Sequence, residues 1–335
     1  MKLTVLYPEA MYPDCSVEQR ILGPDVRVIM HAVPALADLA EADCAAADGL
    51  MVFRHFAAAA DLARFPRLKA LVRMGVGYDR VDRKAAAARG IVVCNVPDYG
   101  TTEVADHALA LALALRRGLL LHYEKQREDP PAPWRWVDDP LIRRSSTQTF
   151  GVLGLGRIGT AVALRAKAFA FHVLAYDPYQ PNGIELALGI GRARTLEELL
   201  GASDILSIHC PLTSETRGML GASELALLPK GAVVVNTARG PVVDHGALMA
   251  LMESGQIGGA GLDVLPDEPP VEPIPALLAA YRARAAWLDG RLIITPHAAF
   301  HTPDAWKDIR VKSAETMRAA LLGPRPQNVI AADAE

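Results

Sequence analysis

Short apolar runs recur along the chain: LTVLY (3–7), VRVIM (26–30), GLMVF (49–53), ALVRM (70–74) and IVVC (91–94). Between them lie alanine-rich stretches such as ALADLAEA and DRKAAAARG. Runs apolar on both faces, alternating with helical stretches, predict parallel strands covered by helices on both sides. A second series starts near Thr149 with TFGVLGLG, FHVLAYD, ILSIHC, AVVVNT, GAGLDV and RLIITPH. The predicted fold class is therefore α/β, with two doubly wound, Rossmann-like parallel-sheet domains. The stretch VADHALALALALRRGLLLHY (104–123) reads as one buried helix between the two series. Thr101 or Thr102 suits its N-cap, with Glu103 and Asp106 in the first turn. The tail AWKDIRVKSAETMRAALL reads as a helix too short to be a domain, so it must pack back on the rest. The proline-rich segment from Glu128 to Asp139 reads as a surface connection with a packed aromatic, Trp134 or Trp136.

Composition narrows the picture. A chain of 335 residues, 51% hydrophobic and 22% charged, suits two ordinary globular domains. A net charge of −3 gives no electrostatic reason to expect nucleic acid or an anionic membrane as partner. Asp106, His107, Arg116 and Arg117 interrupt the most apolar helix, so it lacks the roughly 20 apolar residues of a membrane span. Cys15, Cys44, Cys94 and Cys210 form no CxxC pair. That argues against a disulfide framework and a zinc site, and the expectation is no metal and a reducing, cytoplasmic location. The start MKLTVLYPEA meets Pro8 and Glu9 too early for a signal peptide.

The chemistry lies in the second series. Gly154, Gly156 and Gly159 form GxGxxG between a strand and an amphipathic helix, and the next strand ends on Asp177. That is a dinucleotide fingerprint. The glycines turn the chain tightly and let the backbone reach a pyrophosphate, with Arg157 near it or solvated. A carboxylate at Asp177 accepts hydrogen bonds from a ribose diol and repels a 2′-phosphate, so the expected cofactor is NAD. Ligands of open α/β sheets sit beyond the carboxyl ends of the strands. There stand Arg239 after AVVVNTA, Asp263 after AGL, Glu268 in the loop beyond it and His297 after RLIITP. An arginine can grip a carboxylate with two parallel hydrogen bonds. A histidine can protonate a carbonyl as hydride arrives, and a glutamate on its other ring nitrogen fixes the tautomer. The bland alternative is a structural histidine with an Arg–Glu salt bridge. His209 reads as lining the adenine side or packing locally.

The motifs VRMGVGYDRVD, CNVPDYGTTEVADHALAL, GVLGLGRIG, YDPY, HCPLT, VNTARGPVVD, GLDVLPDEP and TPHAA together resemble the D-isomer-specific 2-hydroxyacid dehydrogenase family along nearly the whole chain. Within it the sequence looks closest to the C-terminal-binding-protein branch, through ALRAKAFAFHVLAYDPY and the segment around ELALGIGRARTLEELL. The resemblance implies a discontinuous, flavodoxin-like substrate domain over 1–98 and 299–335 and an NAD-binding domain over 99–298, with a cleft closing on substrate. It implies Arg239, Glu268 and His297 as catalytic residues. It places Gly154, Gly156, Arg157, Ile158, Gly159, Asp177, Cys210, Pro211, Thr216, Thr237, Ala238, Asp263 and Thr102 at the cofactor, with Asp263 near the nicotinamide carboxamide. Substrate contacts would come from Arg73, Gly75, Val76, Gly77 and Phe300, the last standing where the branch carries a tryptophan. Arg54 and His55 would select the substrate's far end. Homodimers are implied. One departure is VEPIPALLAAYRARAAWLDG, which lengthens the loop between Glu268 and His297 by about a helix and either caps the cleft or lies on the surface. The expected activity interconverts a 2-keto acid and a D-2-hydroxy acid with NAD. The alternatives are an NAD(H)-sensing scaffold and a dehydrogenase for another small anion such as phosphite.

Overall fold

The computed structural model describes residues 2–332. The chain divides into two compact units, Met1–Gly100 with His301–Glu335, and Thr101–Phe300. The first holds five parallel strands, β1 Leu3–Tyr7, β2 Val26–Met30, β3 Gly49–Val52, β4 Ala70–Arg73 and β5 Val92–Asn95. Their order is β2-β1-β3-β4-β5. Every residue of β3 and β4 is buried, which explains continuous apolar runs in place of alternation. Val52 pairs with Arg73 and Arg73 with Asn95, so β3, β4 and β5 end level on one edge.

The tail does pack back. The helix Pro303–Leu322 lies against β3, β4, β5 and the helix Ser16–Leu22. Thr302 caps it, its hydroxyl accepting from Ala305 N at 3.0 Å, and Pro303 opens it where a missing N–H does no harm. Ile309, Ala314 and Met317 bury its inner face. Arg310 donates to both carboxylate oxygens of the fully buried Glu18, each at 2.8 Å. A buried carboxylate needs such a partner.

The second unit holds β6 Thr149–Leu153, β7 His172–Tyr176, β8 Gly191–Arg192, β9 Ile205–Ile208, β10 Ala232–Asn236, β11 Ile257–Leu262 and β12 Leu292–Ile294. All pair in parallel, in the order β12-β11-β10-β9-β6-β7-β8. The chain works outward from β6 to β8, then returns to β9 beside β6 and proceeds the other way. The topological switch point therefore lies between β6 and β9.

Three expectations need correction. The single helix over 104–123 is two, Thr101–Arg116 and Leu119–Arg127. Gly118 breaks it with a left-handed φ of 59°, a conformation other residues resist. Just before the break the buried Arg116 turns inward to the carbonyls of Asp204 and Gly231. Thr101 lies inside the first turn, not before it, and Asp106 pairs with Arg165 at 2.5 Å beyond that turn. The segment 128–139 does not pack an aromatic: Trp134 is 93% and Trp136 76% exposed. Its closely spaced prolines hold the backbone off any regular element, so neither indole is carried onto the core.

The inserted segment after Glu268 forms the helix Ala276–Arg282, which packs on the helix His245–Glu253 of the same unit, with buried Leu277 in one core cluster with Leu248 and Met252. No helix among the described residues is long and apolar enough to cross a membrane.

Candidate active site

The glycine turn follows β6, and each glycine is there for a different reason. Gly154 has φ 89°, and a Cβ on it would meet Cys210 N at 2.7 Å. It is the point where β6 meets the chain leaving β9. A Cβ on Gly159 would strike Gly154 O at 2.0 Å, so glycine lets the helix Arg157–Ala168 sit against the strand. A Cβ on Gly156 would meet nothing within 4 Å. No protein atom requires glycine there; the open space suits the approach of a phosphate to the helix N-terminus. Arg157 is exposed beside it, and Ile158 is half-buried against the core under the sheet.

Asp177, just past β7, accepts from Leu155 N at 2.8 Å and from Tyr179 N at 2.9 Å. It ties the glycine turn to its own loop and keeps lone pairs for a diol. Arg192, on the short edge strand β8, braces that loop by donating to the carbonyls of Gln180 (2.8 Å) and Pro181 (2.9 Å). Together the open cradle at Gly156 and the carboxylate of Asp177 fit an adenine dinucleotide.

The loop after β10 is clamped from below. The fully buried Asn236 donates Nδ2 to Arg239 O at 2.9 Å and accepts from Ala238 N at 3.0 Å. Thr237 is buried with its hydroxyl unpartnered among the described residues. Arg239 donates Nη1 to Ala238 O at 2.7 Å. Next to it, a Cβ on Gly240 would meet the Leu265 carbonyl at 2.0 Å. That glycine lets the arginine loop lie directly on the loop carrying Glu268.

Glu268 accepts from Leu265 N at 2.9 Å through Oε1, and Oε2 lies 2.5 Å from His297 Nδ1. Burial pushes its carboxyl up, but the hydrogen bond and charge of His297, the Leu265 N–H and the charge of Arg239 together hold it below the usual carboxylate range. Because a carboxylate only accepts, Nδ1 carries the proton. The other ring nitrogen, Nε2, has no hydrogen-bond partner among the described residues. His297 itself adopts φ 52°, a left-handed conformation strained for a residue with a Cβ.

That conformation is held by Asp263. The buried carboxylate accepts from Ala298 N (2.8 Å), Ala299 N (2.9 Å) and Thr295 Oγ1 (2.6 Å), while Asp263 O accepts from His297 N at 2.8 Å. His107 Nε2 stands 3.0 Å from Thr295 Oγ1 and completes the chain. So Asp263, expected beside a carboxamide, here uses its carboxylate on the loop that carries His297. Phe300 is 9% exposed and stands edge-on to the His297 ring, with centroids 6.3 Å apart.

The remaining expected contacts are more local. Thr216 spends its hydroxyl on Pro211 O at 2.6 Å, closing the turn after β9. Cys210 is buried, with its thiol pushed up to about 12 by desolvation. His209 packs locally, 2.8 Å from Ser207 Oγ, and burial drives its ring down to about 3, so it stays neutral. Thr102 places its hydroxyl on Glu103 Oε2 at 2.8 Å.

In the first unit, Arg73 ends β4 with its guanidinium 5.6 Å from the Phe53 ring centroid. A Cβ on Gly75 would meet Arg73 Nη1 at 1.5 Å, so the turn after β4 folds directly over the arginine's guanidinium. Asn95 Nδ2 donates to Val76 O at 2.7 Å and fixes the turn that continues to Gly77. The sequence reading assigns no site role to Arg192, Asn236, Thr295, His107 or Asn95. A polar residue inside an apolar strand, as at Asn95 and Asn236, was the available signal.

Residues 109–299 match the NAD binding domain of the D-isomer specific 2-hydroxyacid dehydrogenases. The chain is 33% identical to C-terminal-binding protein 1 of Caenorhabditis elegans, over 94% of this chain and 43% of that protein. It is 37% identical to D-3-phosphoglycerate dehydrogenase of Mycobacterium leprae (strain TN), over 90% of this chain and 52% of that protein. The chain thus spans about half the length of these relatives. A solved D-lactate dehydrogenase from Aquifex aeolicus, in complex with NAD and lactic acid, superposes with a TM-score of 0.82 at 30% identity, covering 95% of this chain and 96% of that one.

Proposed function

The chain belongs to the D-isomer specific 2-hydroxyacid dehydrogenase family, and from that premise we propose that it reduces a 2-keto acid to the D-2-hydroxy acid with NADH, and catalyses the reverse reaction with NAD. The observation that carries this is the His297–Glu268 pair beside Arg239, with Nδ1 engaged and Nε2 free of any described partner. The glycine turn and Asp177 would hold the dinucleotide, which when bound supplies or accepts the hydride. Arg239 pairs its guanidinium with the substrate carboxylate. His297 Nε2 donates its proton to the carbonyl oxygen as C2 gains the hydride, and takes it back from the hydroxyl in the reverse direction. Glu268 holds the ring orientation and stabilises the imidazolium that must precede proton donation. Asp263 positions His297 through Ala298 and Ala299. Arg73, the backbone of Gly75, Val76 and Gly77, and Phe300 are assigned to substrate contact.

Two finer expectations accompany this. Membership of the family favours a homodimer, which sedimentation of the purified chain would test. Four free cysteines support a reducing, cytoplasmic setting.

The test is NADH oxidation against pyruvate, glyoxylate, hydroxypyruvate, phenylpyruvate and 4-methylthio-2-oxobutyrate. Turnover giving the D product is expected on at least one. Silence on all of them with NADH still bound, or an L product, contradicts the proposal.

A further inference from the structure

In a sheet ordered β2-β1-β3-β4-β5 the switch point lies between β1 and β3, where open α/β sheets place their ligands. Here that point is filled from within. Glu9, two residues past the end of β1, sends its carboxylate across to the chain leaving β3. It accepts from the backbone N–H groups of three consecutive residues: Phe53, Arg54 at 2.7 Å and His55 at 3.1 Å. Successive N–H groups converging on one point form an anion cradle. The Glu9 side chain is 11% exposed and that of His55 10%. His55 Nε2 stands 3.9 Å from Glu9 Oε1, and Nδ1 is buried with no hydrogen-bond partner among the described residues.

The cradle is not an isolated loop detail. Phe53, whose N–H it uses, carries the guanidinium of Arg73 on one contact and that of Arg54 on another, each 5.6 Å from the ring centroid. Arg73 opens the turn at Gly75, and Val52 and Arg73 are register partners. The cradle and the residues assigned to substrate contact thus leave neighbouring strands on the same sheet edge.

We propose that Glu9 is a specificity residue: it fills an anion cradle at the substrate end of the first unit and so restricts the enzyme to 2-keto acids whose far end carries no second negative charge. This rests on the dehydrogenase reading, in which Arg73 and Gly75 meet the substrate. A substrate with a distal carboxylate or phosphate has to displace Glu9 from three N–H groups or approach it as a like charge, and either is unfavourable. A neutral tail carries no such charge, and the cradle stays closed.

The experiment compares 2-oxopentanoate with 2-oxoglutarate, chain-matched acids that differ by a methyl against a carboxylate, in the wild type, Glu9→Ala and Glu9→Gln. The wild type should favour 2-oxopentanoate. The kcat/KM ratio of 2-oxoglutarate over 2-oxopentanoate should rise about tenfold in Glu9→Ala and less in Glu9→Gln, which keeps an acceptor oxygen but loses the charge. In parallel, inorganic phosphate should raise the Tm of Glu9→Ala beyond any rise in the wild type, because the vacated cradle takes the anion. An unchanged ratio in the folded variants overturns the proposal. If Glu9→Ala does not fold, Glu9→Gln decides through the same ratio. If the wild type reduces neither acid and none of the five keto acids named above, the dehydrogenase reading is what has failed; if it reduces one of the five, that reading stands. The phosphate response then decides the cradle alone: a gain in Glu9→Ala supports it, and no gain overturns it.

Discussion

Both units are doubly wound sheets with a switch point, and the two switch points are furnished in opposite ways. Between β6 and β9 the chain removes atoms: Gly156 leaves open space, and Gly154 and Gly159 let strand, turn and helix close up around it. Between β1 and β3 the chain adds an atom group, the Glu9 carboxylate, and satisfies three N–H groups itself. The same doubly wound principle thus produces a site that waits for an anion and a site that already holds one. The sheet fixes where backbone donors converge; the side chains decide whether a ligand is admitted.

The sharpest way to break the open site is to put an atom back. Gly159→Ala drives a Cβ into the Gly154 carbonyl, so the fold should lose about 1–3 kcal/mol and NADH affinity should fall with it. Differential scanning calorimetry and an NADH fluorescence titration check both, and an unperturbed variant would show that the turn has slack the geometry denies. Next in size is Arg239→Lys. A point charge cannot reproduce the guanidinium fork, so KM for the keto acid should rise about tenfold or more with NADH binding retained. An unchanged KM removes Arg239 as the carboxylate anchor.

A pH series sharpens the comparison further. Glu268 titrates below its ordinary range in the fold. A depressed carboxyl stabilises the protein above its unfolded pKa, and that stability is lost as pH falls through the folded value. The Tm advantage of the wild type over Glu268→Gln should therefore be constant near neutrality and shrink below about pH 4. An advantage that instead grows on acidification would reverse the assigned direction. The smallest effect concerns His245, buried with both ring nitrogens unpartnered and its pKa lowered by burial to about 4. Such a ring destabilises the fold increasingly as pH drops below its unfolded pKa of about 6.5. His245→Leu should raise Tm slightly at neutral pH and more at acid pH; a lower Tm under both conditions would mean that the ring packs better than it solvates.

What was legible in the sequence was what is encoded locally. Buried parallel strands announce themselves as apolar runs, and β1 and β2 are found with the bounds their runs suggest. The glycine turn was legible because its constraints fall within a few residues. The positions of Arg239, Glu268 and His297 beyond strand ends were legible, as candidates, because each follows a strand that the pattern locates. The rest depends on contacts between distant segments. The Glu9 cradle joins residues 44 apart and requires knowing that β1 and β3 are neighbours. The inward turn of Arg116, the left-handed Gly118 and the use of Asp263 on the His297 loop depend likewise on what lies across the fold. A strand of two residues such as β8 has no periodicity to detect.

The central claim is that His297 moves the proton in a hydride-transfer reaction, and one side-by-side measurement tests it. Wild type and His297→Asn are titrated with NADH and then assayed on the keto acid the wild type reduces fastest. The account predicts equal NADH affinity and a kcat lower by about a thousandfold or more in the variant. A variant that turns over at the wild-type rate would contradict it.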